Sequence, residues 1–272
     1  MHDLTNMAIH TITTKPWRLE TALEKYCKAG ITGVSVWKES LEGYSLQEAR
    51  ILLEASGLKV VSLVRGGFFP SASLEQRMKK IEENKRLIDI ATAIGAPLIV
   101  LVCGADPSVP LQDARKQIEE GIAQILPYAE NMHIKLAIEP LHPMYADVRS
   151  AIVTIKQAHD MCIKFDSKNL GLAVDVYHVW WDPDLEYQIE KAGKSNSIFA
   201  FHVCDWKTPT MDLLNDRGLM GEGCIPIQTI RTWVQKAGFS GFNEVEIFSN
   251  RYWSMEQDQY LSMIIKAYKE HV

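Results

Sequence analysis

Eight short runs of β-branched and apolar residues alternate in order with eight amphipathic segments along this chain, and that alternation limits its fold more than any other feature. The runs are MAIHTIT (7–13), ITGVSVW (31–37), LKVVSLV (58–64), PLIVLVC (97–103), IKLAIEP (134–140), LGLAVDV (170–176), IFAFHVC (198–204) and FNEVEIF (242–248). Near-continuous apolarity is what strands covered on both faces need. Helices are expected over 18–30, 45–57, 73–95, 111–132, 149–165, 184–194, 226–238 and 255–270. Ser45 followed by Glu48 reads as a capping box, Ser73 with Gln76 repeats it, and Gly30 suits a helix C-terminus. Strand–helix repetition forces right-handed parallel crossovers. Eight of them in 272 residues predict an α/β fold, a single (β/α)8 TIM barrel with 1–272 as one domain. The alternative, a doubly wound open sheet, would want a GxGxxG or P-loop turn, and none is present.

The net charge of -5 carries no Lys/Arg block, so no nucleic-acid partner is expected. No apolar stretch approaches the roughly 20 residues of a membrane span, and MHDLTNMAIH lacks the apolar core of a signal peptide. Five scattered cysteines without a CxxC fit reduced thiols, hence a cytoplasmic location.

The C-terminal strand ends form the working face of such a barrel, so what each run ends in matters. The fifth ends in Glu139 (LAIEPLHP) and the sixth in Asp175 (LAVDVYHVWW). The seventh carries His202 (FAFHVCDW) and the eighth Glu246 (NEVEIFSN) near its tip. Any one alone reads as a helix cap, a solvated loop acid or a hydrogen-bonded core histidine. On four consecutive strands, three carboxylates would converge on one mouth and repel unless a cation compensates. The expected cofactor is one divalent metal ion. The donor set points first to Mn2+, with Mg2+, Co2+ or Zn2+ as alternatives, and no cysteine is placed for structural zinc.

Further residues are candidates for holding a substrate. His178 follows Asp175 by three residues, just outside the ligand set, and Tyr177, Trp180 and Trp181 either wall the pocket or pack under the next helix. Arg217 lies in a glycine-rich loop (NDRGLMGEG) whose glycines would let backbone approach a ligand. His142 (PLHP), Arg65 (LVRGGFFP) and Trp37 (VWKES) stand at other strand ends, as does His10. An arginine at the third strand hints at an anionic or heavily hydroxylated substrate.

The motifs IEP with Glu139, DVYH with Asp175 and His178, FHVCD with His202, DRGLMGEG with Arg217 and VEI with Glu246 carry a resemblance over essentially the whole chain. The sequence resembles the xylose-isomerase-like TIM barrels of the sugar phosphate isomerase/epimerase family, which include ketose 3-epimerases, hydroxypyruvate isomerases and inosose dehydratases. The resemblance implies that Glu139, Asp175, His202 and Glu246 bind the metal. It implies that Glu139 and Glu246 are also the catalytic acid/base pair on opposite faces of the substrate, and that His178 and Arg217 bind oxygens of the reacting unit. The implied activity is a divalent-metal-dependent epimerase or isomerase of a small carbohydrate, working by proton transfer through a metal-stabilised enediolate. The resemblance also allows a homo-oligomer.

Rival readings share the ligands. A lyase or dehydratase acting on a keto-sugar or oxidised glycoside needs only a leaving group and an added acid, for which His142, His178 and Asp205 are candidates. An apurinic-site endonuclease would want further histidines on the third and fourth strands, which offer none. A non-catalytic sugar-binding barrel would not need all four ligand types.

Overall fold

The computed structural model describes residues 4–272. Eight parallel strands close into a barrel: β1 (Met7–His10), β2 (Gly33–Trp37), β3 (Lys59–Gly67), β4 (Leu98–Val102), β5 (Lys135–Glu139), β6 (Leu170–Asp175), β7 (Ile198–Val203) and, completing the ring between β7 and β1, β10 (Asn243–Val245). A short antiparallel ribbon, β8 (Asp205–Trp206) with β9 (Arg217–Gly218), stands beyond the end of β7. The larger helices are α1 (Leu19–Lys28), α2 (Leu46–Ser56), α3 (Leu74–Ile94), α4 (Leu111–Asn131) and α5 (Ile155–Phe165). After the single turn α6 (Val176–Val179) come α7 (Leu185–Lys194), α8 (Ile227–Lys236), the short α9 (Asn250–Trp253) and α10 (Gln257–His271).

Local chemistry sets the boundaries. Ser45 and Glu48 form the reciprocal capping box, and Gly57 ends α2 in the left-handed region. The expected helix over 149–165 begins only at Ile155, because Thr154 caps it by accepting the Gln157 amide at 3.2 Å. The preceding residues are held extended, with the Ala151 amide donating to the Gly104 carbonyl at 3.0 Å and Ser150 bridged to Gly104. The first run stops at His10 rather than Thr13, and the Thr13 hydroxyl instead donates to the Val245 carbonyl at 3.1 Å, tying the chain's start to its last strand. The third run is longer than expected and reaches Gly67. A Cβ there would stand 2.1 Å from the Val102 carbonyl oxygen, so only glycine lets β3 lie this close to β4.

The main apolar core lies between the strands and the helices. The barrel lumen is filled in layers by small or branched side chains, among them Val64, Leu98, Val100, Ala137, Ala173 and Ala200. Trp37 and Phe248 cap that column at the C-terminal mouth. Among the described residues no helix is long and apolar enough to cross a membrane.

Candidate metal centre

Strand register assembles the site. Asp175 on β6 pairs with His202 on β7, and His202 pairs with Glu244 on β10. Glu139 ends β5, and Glu246 follows β10 by one residue. One donor atom from each of Glu139, Asp175, His202 and Glu246 lies within 4.8 Å of the other three, and all four residues are buried.

Whether these residues fit a cation is decided by charge and by unused donors. His202 Nδ1 lies 2.9 Å from Glu139 Oε1, an ion pair when the ring is protonated, and neither atom has any other partner once the ring is neutral. Buried polar atoms without partners cost several kcal/mol in an apolar setting (about 1–3 each), and lone pairs left free in one small volume are what an ion requires. The ring's other nitrogen faces Glu244 Oε2 at 3.8 Å, an orientation that turns Nδ1 toward the ion position. Burial alone would depress the His202 imidazole, but Glu139, Glu244 and Glu246 outweigh it and push the pKa up to about 10. Burial also drives the Asp175 carboxyl up to about 7, against the pull of Arg217. With no ion, the cluster must therefore take up protons. Four buried carboxylates balance against Arg217, a protonated His10 and a divalent ion, with His202 left neutral to ligate. The residues fit a divalent cation.

A second layer lies below. His10 reaches Glu246 Oε1 at 3.0 Å with Nδ1 and Glu244 Oε2 at 3.2 Å with Nε2. Burial opposes its charge, but Glu246 and Glu244 prevail and raise its pKa. The Trp37 indole nitrogen also lies 3.1 Å from His10 Nδ1. A protonated ring has no acceptor to offer it, so in that state Nδ1 donates to Glu246 and the indole contact is not a hydrogen bond. Glu244 is held further by the hydroxyls of Ser35 at 2.5 Å and Ser62 at 3.3 Å. Sequence reasoning passed over Glu244. The signal was the E-V-E alternation of β10, which points residues two apart to the same face.

Arg217 and His178 stand over the ligands. Arg217 Nη1 donates to Glu246 Oε2 at 2.9 Å and to Asp175 Oδ2 at 3.1 Å, and its guanidinium lies over the Tyr177 ring at 4.4 Å. The β8–β9 ribbon presents it, and Asp205 anchors the ribbon by accepting the amides of Trp206, Gly221, Gly223 and Ile225 at 2.8–3.0 Å. The loop's glycines thus serve this turn rather than a ligand: a Cβ on Gly223 would meet the Trp206 carbonyl oxygen at 2.0 Å. Asp205 is correspondingly no free acid. His178 is kept neutral by burial and then by Arg217. Its Nδ1 lies 3.3 Å from the His142 amide, and its Nε2 lies 3.2 Å from Arg217 Nη2 and 3.6 Å from Asp175 Oδ2; a neutral ring accepts from only one of those two N–H donors.

The cavity above the ligands is only about 20 Å³ and is lined by Glu139, Glu246, His178, Arg217, Arg65, Trp37, Tyr145 and Leu214, among others. It opens beside a larger cavity of about 670 Å³ that shares Trp37, Arg65, Arg149, Leu214 and Phe248 with it. Trp37 and Arg65 therefore stand where the sequence placed them. His142 does not: its side chain lines neither cavity but packs on Trp206 and against Trp181, with ring centroids 5.0 and 5.9 Å away, and only its main chain touches His178. Tyr177, Trp180 and Trp181 also line neither cavity. Tyr177 supports Arg217 and stacks on Trp206, Trp180 packs on Trp206, and the Trp181 indole donates to the His178 carbonyl at 2.8 Å. Arg149, Tyr145 and Leu214 are cavity residues that sequence reasoning missed.

A (β/α)8 barrel with a four-residue cation cradle at its C-terminal mouth defines the class. The chain belongs to the xylose isomerase-like TIM barrel family, whose model matches residues 23–267. It is 23% identical over 225 residues to an inosose isomerase of Bacillus licheniformis, covering 81% of this chain and 79% of that one. A protein of Sinorhizobium meliloti with a solved crystal structure is 41% identical, with a TM-score of 0.95 and 98% of each chain covered. The IOLI protein, crystallised with a bound zinc atom, is 20% identical with a TM-score of 0.85 and 97% of each chain covered, a likeness of fold.

Proposed function

We propose that the chain is a divalent-metal-dependent epimerase or isomerase of a small carbohydrate, moving a proton on the carbon beside a carbonyl. The observation that carries this reading is the convergence of four ligand atoms within 4.8 Å beneath Arg217 and His178. Likeness to an inosose isomerase supports a polyhydroxylated ketone as substrate. The bound ion, Mn2+ first on the mixed oxygen and imidazole donors, supplies polarisation of the carbonyl and charge stabilisation of the enediolate.

The chain's own residues do the rest. Glu139 and Glu246 come from β5 and β10, which β6 and β7 separate in the ring, so they approach a bound substrate from different sides. One removes the proton at carbon and the other returns it. Return to the opposite face of the same carbon is epimerisation, and return to the neighbouring carbon is isomerisation. His178 lines the inner cavity and binds a substrate oxygen. Arg217 gives up part of its contact with Asp175 and Glu246 to hold an oxyanion as charge develops. His10 holds Glu246 from below and acts through it as a positioning residue.

The test is proton NMR of a ketose panel in D2O with the Mn2+-depleted and Mg2+- or Mn2+-reconstituted protein. Metal-dependent deuterium incorporation next to the carbonyl, with an epimeric or isomeric product, upholds the reading. An unsaturated product assigns elimination instead. Metal-independent binding without exchange makes this a sugar-binding barrel.

A further inference from the structure

Four guanidinium groups line the cavity system, and two are matched: Arg18, which lines the outer cavity alone, pairs with Glu20 at 3.1 Å. Arg217 is paired with Asp175 and Glu246. The guanidinium groups of Arg65 and Arg149 have neither an ion pair nor a hydrogen bond among the described residues, although both line the inner cavity and the larger outer one. They are also close enough to act on each other: after burial, the charge of Arg65 is what lowers the Arg149 pKa most. Two half-buried like charges side by side repel, and an anion held between them would relieve that repulsion.

Their setting is that of a built receptor. Arg65 lies over the Trp37 ring at 5.5 Å and the Phe68 ring at 5.0 Å, and Arg149 lies over the Tyr145 ring at 5.6 Å. These ring contacts hold each guanidinium by its cation–π attraction and use none of its N–H groups, which suit a carboxylate or phosphate. Gly67 lets β3 press against β4 just beyond Arg65, and the extended segment before α5 carries Arg149 to the same place. Neither feature is explained by holding a metal ion.

We propose that Arg65 and Arg149 form an anion subsite at the neck between the two cavities, and that the substrate is a polyhydroxylated carbonyl compound carrying a carboxylate or phosphate at the end remote from the reacting carbon. The subsite stands on the unmatched arginines. Which end of the molecule reacts rests on the metal-centre reading above.

Isothermal titration of the Mn2+-loaded protein with D-fructose, D-fructuronate and D-fructose 6-phosphate tests it, with the Mn2+ paramagnetic resonance spectrum recorded alongside. At least one anionic probe should bind about tenfold or more tighter than fructose, as charge-assisted hydrogen bonds require. Preference for the uronate or for the phosphate ester identifies the anion. Arg65→Met and Arg149→Met keep the stacked stems and should each collapse the anionic-to-neutral affinity ratio toward one. Thermal melts report whether each variant is folded, and the wild-type ratio stands without them. Equal affinity for all three probes, no binding of any, or a preference that survives the double variant overturns the proposal. Arginine-dependent anion binding with an unperturbed Mn2+ spectrum upholds the subsite and contradicts the metal-centre reading instead.

Discussion

His10 Nδ1 lies 3.0 Å from Glu246 Oε1, both groups buried, so a side chain from the first strand of the barrel holds a carboxylate that follows the last. The same ring reaches Glu244, two residues earlier on the same face. Closure of the barrel and assembly of the site are thus one event. Breaking a buried pair leaves an uncompensated charge, so His10→Ala should cost about 3 kcal/mol of unfolding free energy in the metal-free protein. Urea denaturation measures it. A loss below about 1 kcal/mol, the scale of an exposed pair, would contradict this role.

Metal uptake should release protons. Asp175 with a pKa near 7 and His202 near 10 are both protonated at pH 6 in the metal-free protein, and both must lose that proton to ligate. Apparent affinity should rise about a hundredfold per pH unit below pH 7 and about tenfold per unit from 7 toward 10. The sign for the metal-free fold is the reverse. Both pKa values are raised, so the stability these groups contribute is fully present below their unfolded values and is lost as pH rises through about 7 and about 10. The gap in Tm between loaded and metal-free protein therefore widens with pH. Calorimetric titration at pH 6 in two buffers of different ionisation enthalpy counts the protons, and a count near zero contradicts the linkage.

Glu139→Gln and Glu246→Gln should each lower kcat by about a hundredfold or more even at saturating Mn2+, because an amide neither takes nor returns the proton. Steady-state kinetics after metal titration separates this from weakened ligation. Restoration of wild-type kcat by excess metal would reduce both residues to ligands.

The ribbon that presents Arg217 should fail with Asp205. Asp205→Ala leaves four amides without their acceptor, so it should destabilise the fold by about 3 kcal/mol and raise KM more than it lowers kcat. Thermal unfolding and steady-state kinetics on the same preparation check both. An unchanged KM would show that Arg217 needs no such anchor.

A cavity of about 20 Å³ holds little more than one water, so a sugar reaches the ligands only if part of its wall moves, and Leu214 is the wall residue contributed by the loop 207–216. The Tyr145 and Tyr177 hydroxyls hold that segment by donating to the Leu213 carbonyl. Hydrogen exchange of the 211–215 amides should be fast in the free protein, faster in Tyr145→Phe, and slowed by a bound ketose. Full protection without ligand would show the loop to be fixed.

Glu139, Asp175, His202 and Glu246 were legible because an ionisable residue at the end of an apolar run stands out from its neighbours and the barrel topology gathers such ends. His142 follows Glu139 closely in sequence, but its ring packs toward Trp181 and Trp206 and lines neither cavity. The E-V-E alternation of β10 puts Glu244 on the face of Glu246, but its pairing with His10, more than 200 residues away, is announced by no local pattern. Arg149 was hidden inside an expected helix whose true start is set by the Thr154 cap. Strand ends are a local property, whereas the layer beneath them and the arginines beside them are set by tertiary packing.

The central claim is that one ion binds among four named side chains. The most direct measurement is an anomalous-difference map at the manganese edge from Mn2+-soaked crystals. A single peak about 2.2 Å from an oxygen of each of Glu139, Asp175 and Glu246 and from a nitrogen of His202 is predicted. No peak there, or one that leaves any two of the four beyond reach, would contradict the account.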